Sequence, residues 1–237
     1  MSTWSIASLN PVQRKIVEHK TGPALVIAGA GSGKTRVITH RVAQLIHSGI
    51  PASSILLLTF TNKAANEMAQ RVGRALKNST EQQKIIHGTF HSVGSRFLRR
   101  NAKLLNYYNN FSILDSSDSR DLIKASLAET VGKPDKYFPK AAVLQNMFSL
   151  AFNRFCTQKM ILDQPYHERS FHLEQLISAD YPNFEENTET ILNILAAYRH
   201  KKKRGQVMDF DDLLENWLEL LLRHGEGLPL CRQIQYI

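Results

Sequence analysis

Between the apolar run Ala24-Leu-Val-Ile27 and a stretch of apolar residues at helical spacing lies Ala28-Gly29-Ala30-Gly31-Ser32-Gly33-Lys34-Thr35. Glycines at alternate positions, closed by a lysine and a hydroxyl, match the P-loop pattern, with Ala28 in place of its first glycine. The glycines let successive backbone N–H groups turn inward toward a β-phosphate, and the following helix N-terminus adds its partial positive charge. In such a loop Lys34 reaches the β- and γ-phosphates and the Thr35 hydroxyl ligates Mg²⁺. A strand before the loop and a helix after it are the context the pattern requires.

The alternation continues past the loop. Val37, Ile38, Val42, Leu45 and Ile46 mark a helix that Gly49 ends as a C′ glycine, ahead of Pro51. Ile55-Leu-Leu-Leu58 reads as a strand buried on both faces, which favours a parallel sheet. A helix runs from Asn62, capped there, through Ala65, Met68, Ala69, Val72 and Leu76, before a polar turn over Asn78 to Gln83. Ile85-Ile86 opens a third strand, and Val93 to Leu105 a third helix. This βαβαβα order predicts an α/β fold, a doubly wound parallel sheet with ligands beyond the carboxyl ends of its strands.

After about residue 107 the rhythm turns helical. Asp115-Ser-Ser-Asp118 reads as a cap for a helix over Leu122 to Val131, and further helices fall at Val143–Phe155, Leu173–Ile177 and Ile191–Tyr198. Residues 107–204 are therefore expected to form a mostly helical subdomain inserted into an α/β domain made of 1–106 and 205–237. The run Lys201-Lys-Lys-Arg204 fits a helix C-terminus or a linker, and leaves open whether its cations face water or a phosphate. Asp209-Phe-Asp-Asp212 caps a leucine-rich helix to Leu222, and Gln235-Tyr-Ile237 opens a strand.

Charge narrows the partner. Thirty Lys and Arg against 21 Asp and Glu leave a net charge of +9, which favours nucleic acid, with a nucleotide close behind. The two cysteines, Cys156 and Cys231, make neither a disulfide framework nor a thiolate zinc site, and a cytoplasmic compartment fits. The longest apolar runs fall far below the roughly 20 residues of a spanning helix, so no membrane partner is expected. For hydrolysis a carboxylate must also hold the metal shell. Neither Ile113-Leu-Asp115 nor Asp209 to Asp212 offers an apolar strand ending in paired acids.

Four further segments follow in order: Leu9-Asn-Pro-Val-Gln13 ahead of the loop, then Leu58-Thr-Phe-Thr-Asn-Lys-Ala-Ala65, Gly88-Thr-Phe-His-Ser92 and Val207-Met-Asp-Phe-Asp-Asp-Leu213. Together with AGAGSGKTR they resemble the UvrD/Rep/PcrA family of superfamily 1 DNA helicases. The resemblance implies a RecA-like motor domain with a helical insertion, the cofactors ATP and Mg²⁺, and 3′-to-5′ movement on single-stranded DNA. It implies that Gln13 recognises the adenine edge and Arg36 packs near the base, beside the phosphate loop from Ala28 to Thr35. It places single-stranded DNA on Thr59, Phe60, Thr61 and Asn62, and on Thr89, Phe90 and His91. Phosphates would meet the hydroxyls and N–H groups there, and a base would stack on Phe60.

Family members continue from a strand like Gln235-Tyr-Ile237 into an acidic pair and a second RecA-like domain. The 237 residues alone are therefore expected not to act as a helicase, and the partners implied are that second domain and a single-strand/duplex junction. Two rival readings are a P-loop kinase or NTPase acting on a small molecule, and a shortened DNA-binding regulatory module. The TFTNKAA and GTFHS segments argue against the kinase, which has no evident need for them.

Overall fold

The computed structural model describes residues 6–76 and 84–237, as a mostly helical α/β chain with small parallel sheets. The polar turn expected over 78–83 lies outside the described residues. Packing divides the chain into two units, residues 1–93 with 226–237, and residues 94–225.

In the first unit α1 (Pro11–Glu18) begins with proline at its first position and a capping box. Asn10 Oδ1 accepts from the Gln13 N–H at 2.8 Å, while Gln13 Oε1 accepts from the Asn10 N–H at 3.2 Å. Helix α2 (Lys34–His47) ends as Gly49 predicts: Gly49, at φ +91°, donates to Ile46 O and Ile50 donates to Leu45 O. Strand β1 (Leu56–Thr59) leads into α3 (Asn62–Leu76), and β2 (Ile86–Thr89) runs directly into α4 (Phe90–Asn101). The strands pair in parallel, in register from Leu56 with Ile86 to Thr59 with Thr89. Tyr236 makes a parallel bridge to Ile55, so the expected strand at Gln235–Ile237 joins the other edge of β1.

The core here gathers Val42, Leu45, Ile55, Leu57, Met68 and Val72. Burying such a side chain stabilises by roughly 1.5–3 kcal/mol. That outweighs the helix-propensity deficit of a β-branched residue such as Val72, at most about 0.7 kcal/mol.

Three expectations need correction. Ala24–Ile27 forms no strand, and Leu25 and Ile27 are each 88% exposed. A strand exists through its ladder, and no described strand lies alongside to receive this one. The described strands pair two by two, each pair parallel. The cap of α3 is Thr61, whose hydroxyl accepts from the Ala64 N–H at 3.1 Å; Asn62 is already helical. The third helix starts at Phe90 rather than Val93, and its end tightens to a 3₁₀ turn over Ala102–Leu105.

In the second unit β3 (Ser112–Ile113) pairs in parallel with β4 (Val207–Met208). Helices α5 (Ser116–Val131), α6 (Ala141–Phe155), α7 (Gln158–Asp163), α8 (Leu173–Asp180) and α9 (Thr188–Arg204) precede β4, and α10 (Phe210–His224) follows it. Leu144, Met147, Ile161, Leu176, Ile191 and Ile194 are fully buried in a shared core. Asp115 and Asp209 cap α5 and α10 as expected, Asp209 through a reciprocal box with Asp212. A short helix α11 (Pro229–Gln233) returns to the first unit.

Candidate functional site: a phosphate loop and two strand ends

The loop between residue 24 and α2 carries the sharpest geometry. Gly31 and Gly33 sit at φ +76° and +86°, left-handed conformations that a side chain would strain. A Cβ on Gly33 would also lie 3.1 Å from Gln13 Nε2. That amide donates to Ser32 O at 3.0 Å, so the capping glutamine of α1 also anchors the loop. Ser32 Oγ donates to Gly29 O at 2.8 Å. Lys34 Nζ folds back and donates to Ala28 O at 3.0 Å and Gly29 O at 2.6 Å. An ammonium held by backbone carbonyls makes a stronger, charge-assisted bond to an arriving anion.

Arg36 Nη2 bonds Ser8 O and Ser8 Oγ, which ties α2 to the segment before α1. Thr35 is exposed in the first turn of α2. Beside the loop a cavity of about 390 Å³ has apolar walls from Val12, Ile16, Val37 and Ile38, with Gln13 and Lys34 on its rim. That size lies within the range of small-molecule sites. A triphosphate with its metal fits these residues: the glycine turns leave the backbone open, Lys34 supplies the cation and Thr35 a free-facing hydroxyl.

The second cluster sits where β1 and β2 end side by side. Register puts Thr59 opposite Thr89, and each strand passes straight into a helix N-terminus. Thr59 Oγ1 donates to Thr61 O at 2.9 Å. Thr89 and Ser92 cap each other: the Thr89 N–H donates to Ser92 Oγ at 2.9 Å, and the Ser92 N–H to Thr89 Oγ1 at 3.1 Å. Phe60 is 94% exposed, its ring 6.4 Å from that of Phe90. Exposing an aromatic ring so fully forfeits its burial energy, which suits a surface that meets a flat apolar partner. Asn62 and Lys63 are exposed in the first turn of α3, and His91 is half-buried in that of α4.

The Ser92 cap and the Gln13 anchor on Ser32 are two features for which the motifs predict no role. The Thr-x-x-Ser and Asn-x-x-Gln spacings of the two caps signal the local bonds; the Gln13–Ser32 contact, 19 residues apart, has no local signal. Among the described residues no group of three or more His, Cys, Asp or Glu is placed to hold a metal, and no helix is long and apolar enough to cross a membrane.

The chain matches the family described as UvrD/REP helicase N-terminal domain over residues 9–237. It is 35% identical over 239 residues to the ATP-dependent DNA helicase PcrA of Bacillus subtilis (strain 168), covering all of this chain and 29% of that protein. It is 34% identical to PcrA of Leuconostoc citreum, over 95% of this chain and 27% of the relative. With PcrA of Staphylococcus aureus (strain Mu50 / ATCC 700699) the identity is 33%, over 97% of this chain and 29% of the relative. The chain thus spans less than a third of the length of these relatives. With the phosphate loop, the paired strand ends and a match over nearly every residue agreeing, the chain belongs to the UvrD/REP helicase N-terminal domain family.

Proposed function

We propose that this chain is the ATP-binding N-terminal part of an ATP-dependent DNA helicase that moves 3′ to 5′ along single-stranded DNA. The observation that carries it is the pairing of two sites in one unit: the Gly31/Gly33 loop with the Lys34 ammonium folded over it, and the adjacent ends of β1 and β2. In this reading the first unit is the body of a RecA-like domain, and residues 107–204 are its helical insertion. A second RecA-like domain completes the motor, in the cytoplasm.

Lys34 leaves the Ala28 and Gly29 carbonyls for the β- and γ-phosphates, and the N–H groups from Gly29 to Thr35 line the phosphate path. Thr35 would hold Mg²⁺, which when bound would supply positive charge to the phosphates. Gln13 reads the adenine edge while keeping Ser32 in place, and Arg36 packs beside the base. Thr59, Thr61, Asn62, Thr89 and His91 bind backbone phosphates, and Phe60 and Phe90 stack bases.

Nucleotide binding gives the test. ATP with Mg²⁺ at a hundredfold excess over its Kd adds about 2.7 kcal/mol to the stability of the binding form. Thermal unfolding should show this as a raised melting temperature, absent in Lys34→Ala, whose circular dichroism stays that of the wild type. An equal ATP-induced shift in the folded variant rejects the phosphate-loop assignment.

A further inference from the structure

Helix α4 starts on a pair of hydroxyls. Elsewhere Asp115 and Asp209 cap α5 and α10 with carboxylates, which accept hydrogen bonds and, when ionised, have no proton to give. At the end of β2 the cap is made by Thr89 and Ser92, both half-buried. A carboxylate in this place would repel a phosphate; two hydroxyls do not.

The bonds decide where the two protons go. Ser92 Oγ accepts the Thr89 N–H at 2.9 Å and donates to Thr89 O at 3.0 Å, so its proton is spent inside the turn. Thr89 Oγ1 accepts the Ser92 N–H at 3.1 Å and donates to no acceptor among the described residues. A hydroxyl carries one proton and two lone pairs, and with the N–H on one lone pair Thr89 still has its proton to give. Repulsion from that N–H turns the proton away from the first turn of α4. The side chain itself is held, since a β-branched residue has few rotamers to exchange among.

The neighbouring helix start repeats the pattern. Thr61 Oγ1 accepts the Ala64 N–H at 3.1 Å and likewise donates to no acceptor among the described residues. Since β1 and β2 end side by side, with Thr59 opposite Thr89, two unspent protons lie at adjacent strand ends, near the exposed ring of Phe60. Hydroxyl contacts to phosphate oxygens are a common way of holding a nucleic-acid backbone in register.

We infer, resting on the DNA-binding reading above, that Ser92 is a positioning residue: it touches no DNA itself and clamps Thr89 so that the Thr89 hydroxyl donates its proton to a phosphate oxygen of the single strand. Ser92 can act only through Thr89, because its N–H and both roles of its hydroxyl end on that residue. Without the clamp the Thr89 N–H and carbonyl lose their partner, and the hydroxyl loses the fixed backbone from which it is aimed.

A double-mutant cycle read by fluorescence anisotropy of a labelled thymidine oligonucleotide tests this. Thr89→Val, of similar shape but without the proton, should weaken binding roughly tenfold, the change that accompanies a loss of about 1.4 kcal/mol. Ser92→Ala should weaken it severalfold, and Ser92→Thr, which keeps the hydroxyl, should restore it. Adding Ser92→Ala to Thr89→Val should cost nothing further, since the proton that Ser92 aims is already gone. A serine that only caps the helix behaves otherwise: Ser92→Ala then lowers affinity equally in both backgrounds, because the Thr89 N–H loses its partner in each. Equal losses in the two backgrounds, or wild-type affinity in folded Ser92→Ala, overturn the inference. Should circular dichroism show that Ser92→Ala does not fold, Ser92→Cys, with its weakly bonding thiol, makes the same comparison. Failure of the unaltered chain to bind the oligonucleotide is a different result, which overturns the DNA-binding reading and the role of Ser92 with it.

Discussion

Lys202 shows how far a single residue can depart from what its neighbours suggest. Within a run of four cations it is buried, its Nζ 2.6 Å from Asp209 Oδ2 and 2.7 Å from Asp212 Oδ2. The other cations of the run behave differently: Lys201 pairs with Glu129, and Lys203 donates to Leu105 O beside the Tyr107 ring. One lysine between two buried carboxylates leaves an excess of negative charge. Burial and the charge of Asp209 push Asp212 up to about 6, while Lys202 and its hydrogen bond take Asp209 down to about 2. A raised folded-state pKa contributes stability that is full below the unfolded value and lost as pH climbs through the folded one. Asp212 thus favours folding below about pH 4 and loses that contribution by pH 6 or above; Asp209 acts oppositely, losing its contribution only as pH falls toward 2. Asp212→Asn removes the first effect. Urea unfolding across about pH 4 to 7 should show the variant gaining stability relative to wild type as pH rises, and a pH-independent difference contradicts the assignment. Glu215 closes the network nearby, accepting from Arg169 at 2.9 Å and from both Nη1 and Nη2 of Arg199 at 3.0 Å.

At the level of elements, α10 is fixed at its start by the Asp209–Asp212 box and along its length by what its face meets. Trp217 lies 5.5 Å from Phe97 ring to ring, and α4 accommodates the indole by carrying glycine at 94. A Cβ there would stand 2.9 Å from Trp217 Cε3 and 3.3 Å from Cδ2. Glycine inside a helix normally costs about 0.5–1 kcal/mol relative to alanine. Against a rigid indole the clash dominates, since overpacking costs about 1–3 kcal/mol. Gly94→Ala is expected to lower the urea midpoint without changing the slope, whereas a rise would mean that helix propensity prevails. The pairing of β1 with β2 carries the other element-scale consequence: its register sets Thr59 beside Thr89, and thereby two helix N-termini and two phenylalanines on one edge.

For the molecule as a whole, a net charge of +9 and an exposed Phe60 separate two contributions to the proposed DNA binding. Phosphate contacts release counterions, so log K should fall against log[salt] by about 0.7 per phosphate neutralised on a single strand. Stacking is worth about 1–3 kcal/mol per base and carries no counterions. Phe60→Ala should therefore weaken oligonucleotide binding by that amount while leaving the salt slope unchanged in fluorescence-anisotropy titrations; an altered slope would make Phe60 a structural rather than a stacking residue. Short-range patterns in the chain determined the caps at Asp115 and Asp209, the stop at Gly49, the glycine turns before α2 and the span of α3, because each depends on bonds or spacings within a few residues. Contacts between distant residues lay beyond that reach. Only the tertiary structure decided that Leu25 and Ile27 lack a ladder, that Gln13 holds Ser32, and that Lys202 is buried between two aspartates. The reason is physical: a backbone turn is selected by its own torsions, whereas burial, strand pairing and charge compensation belong to whichever remote groups the fold brings alongside.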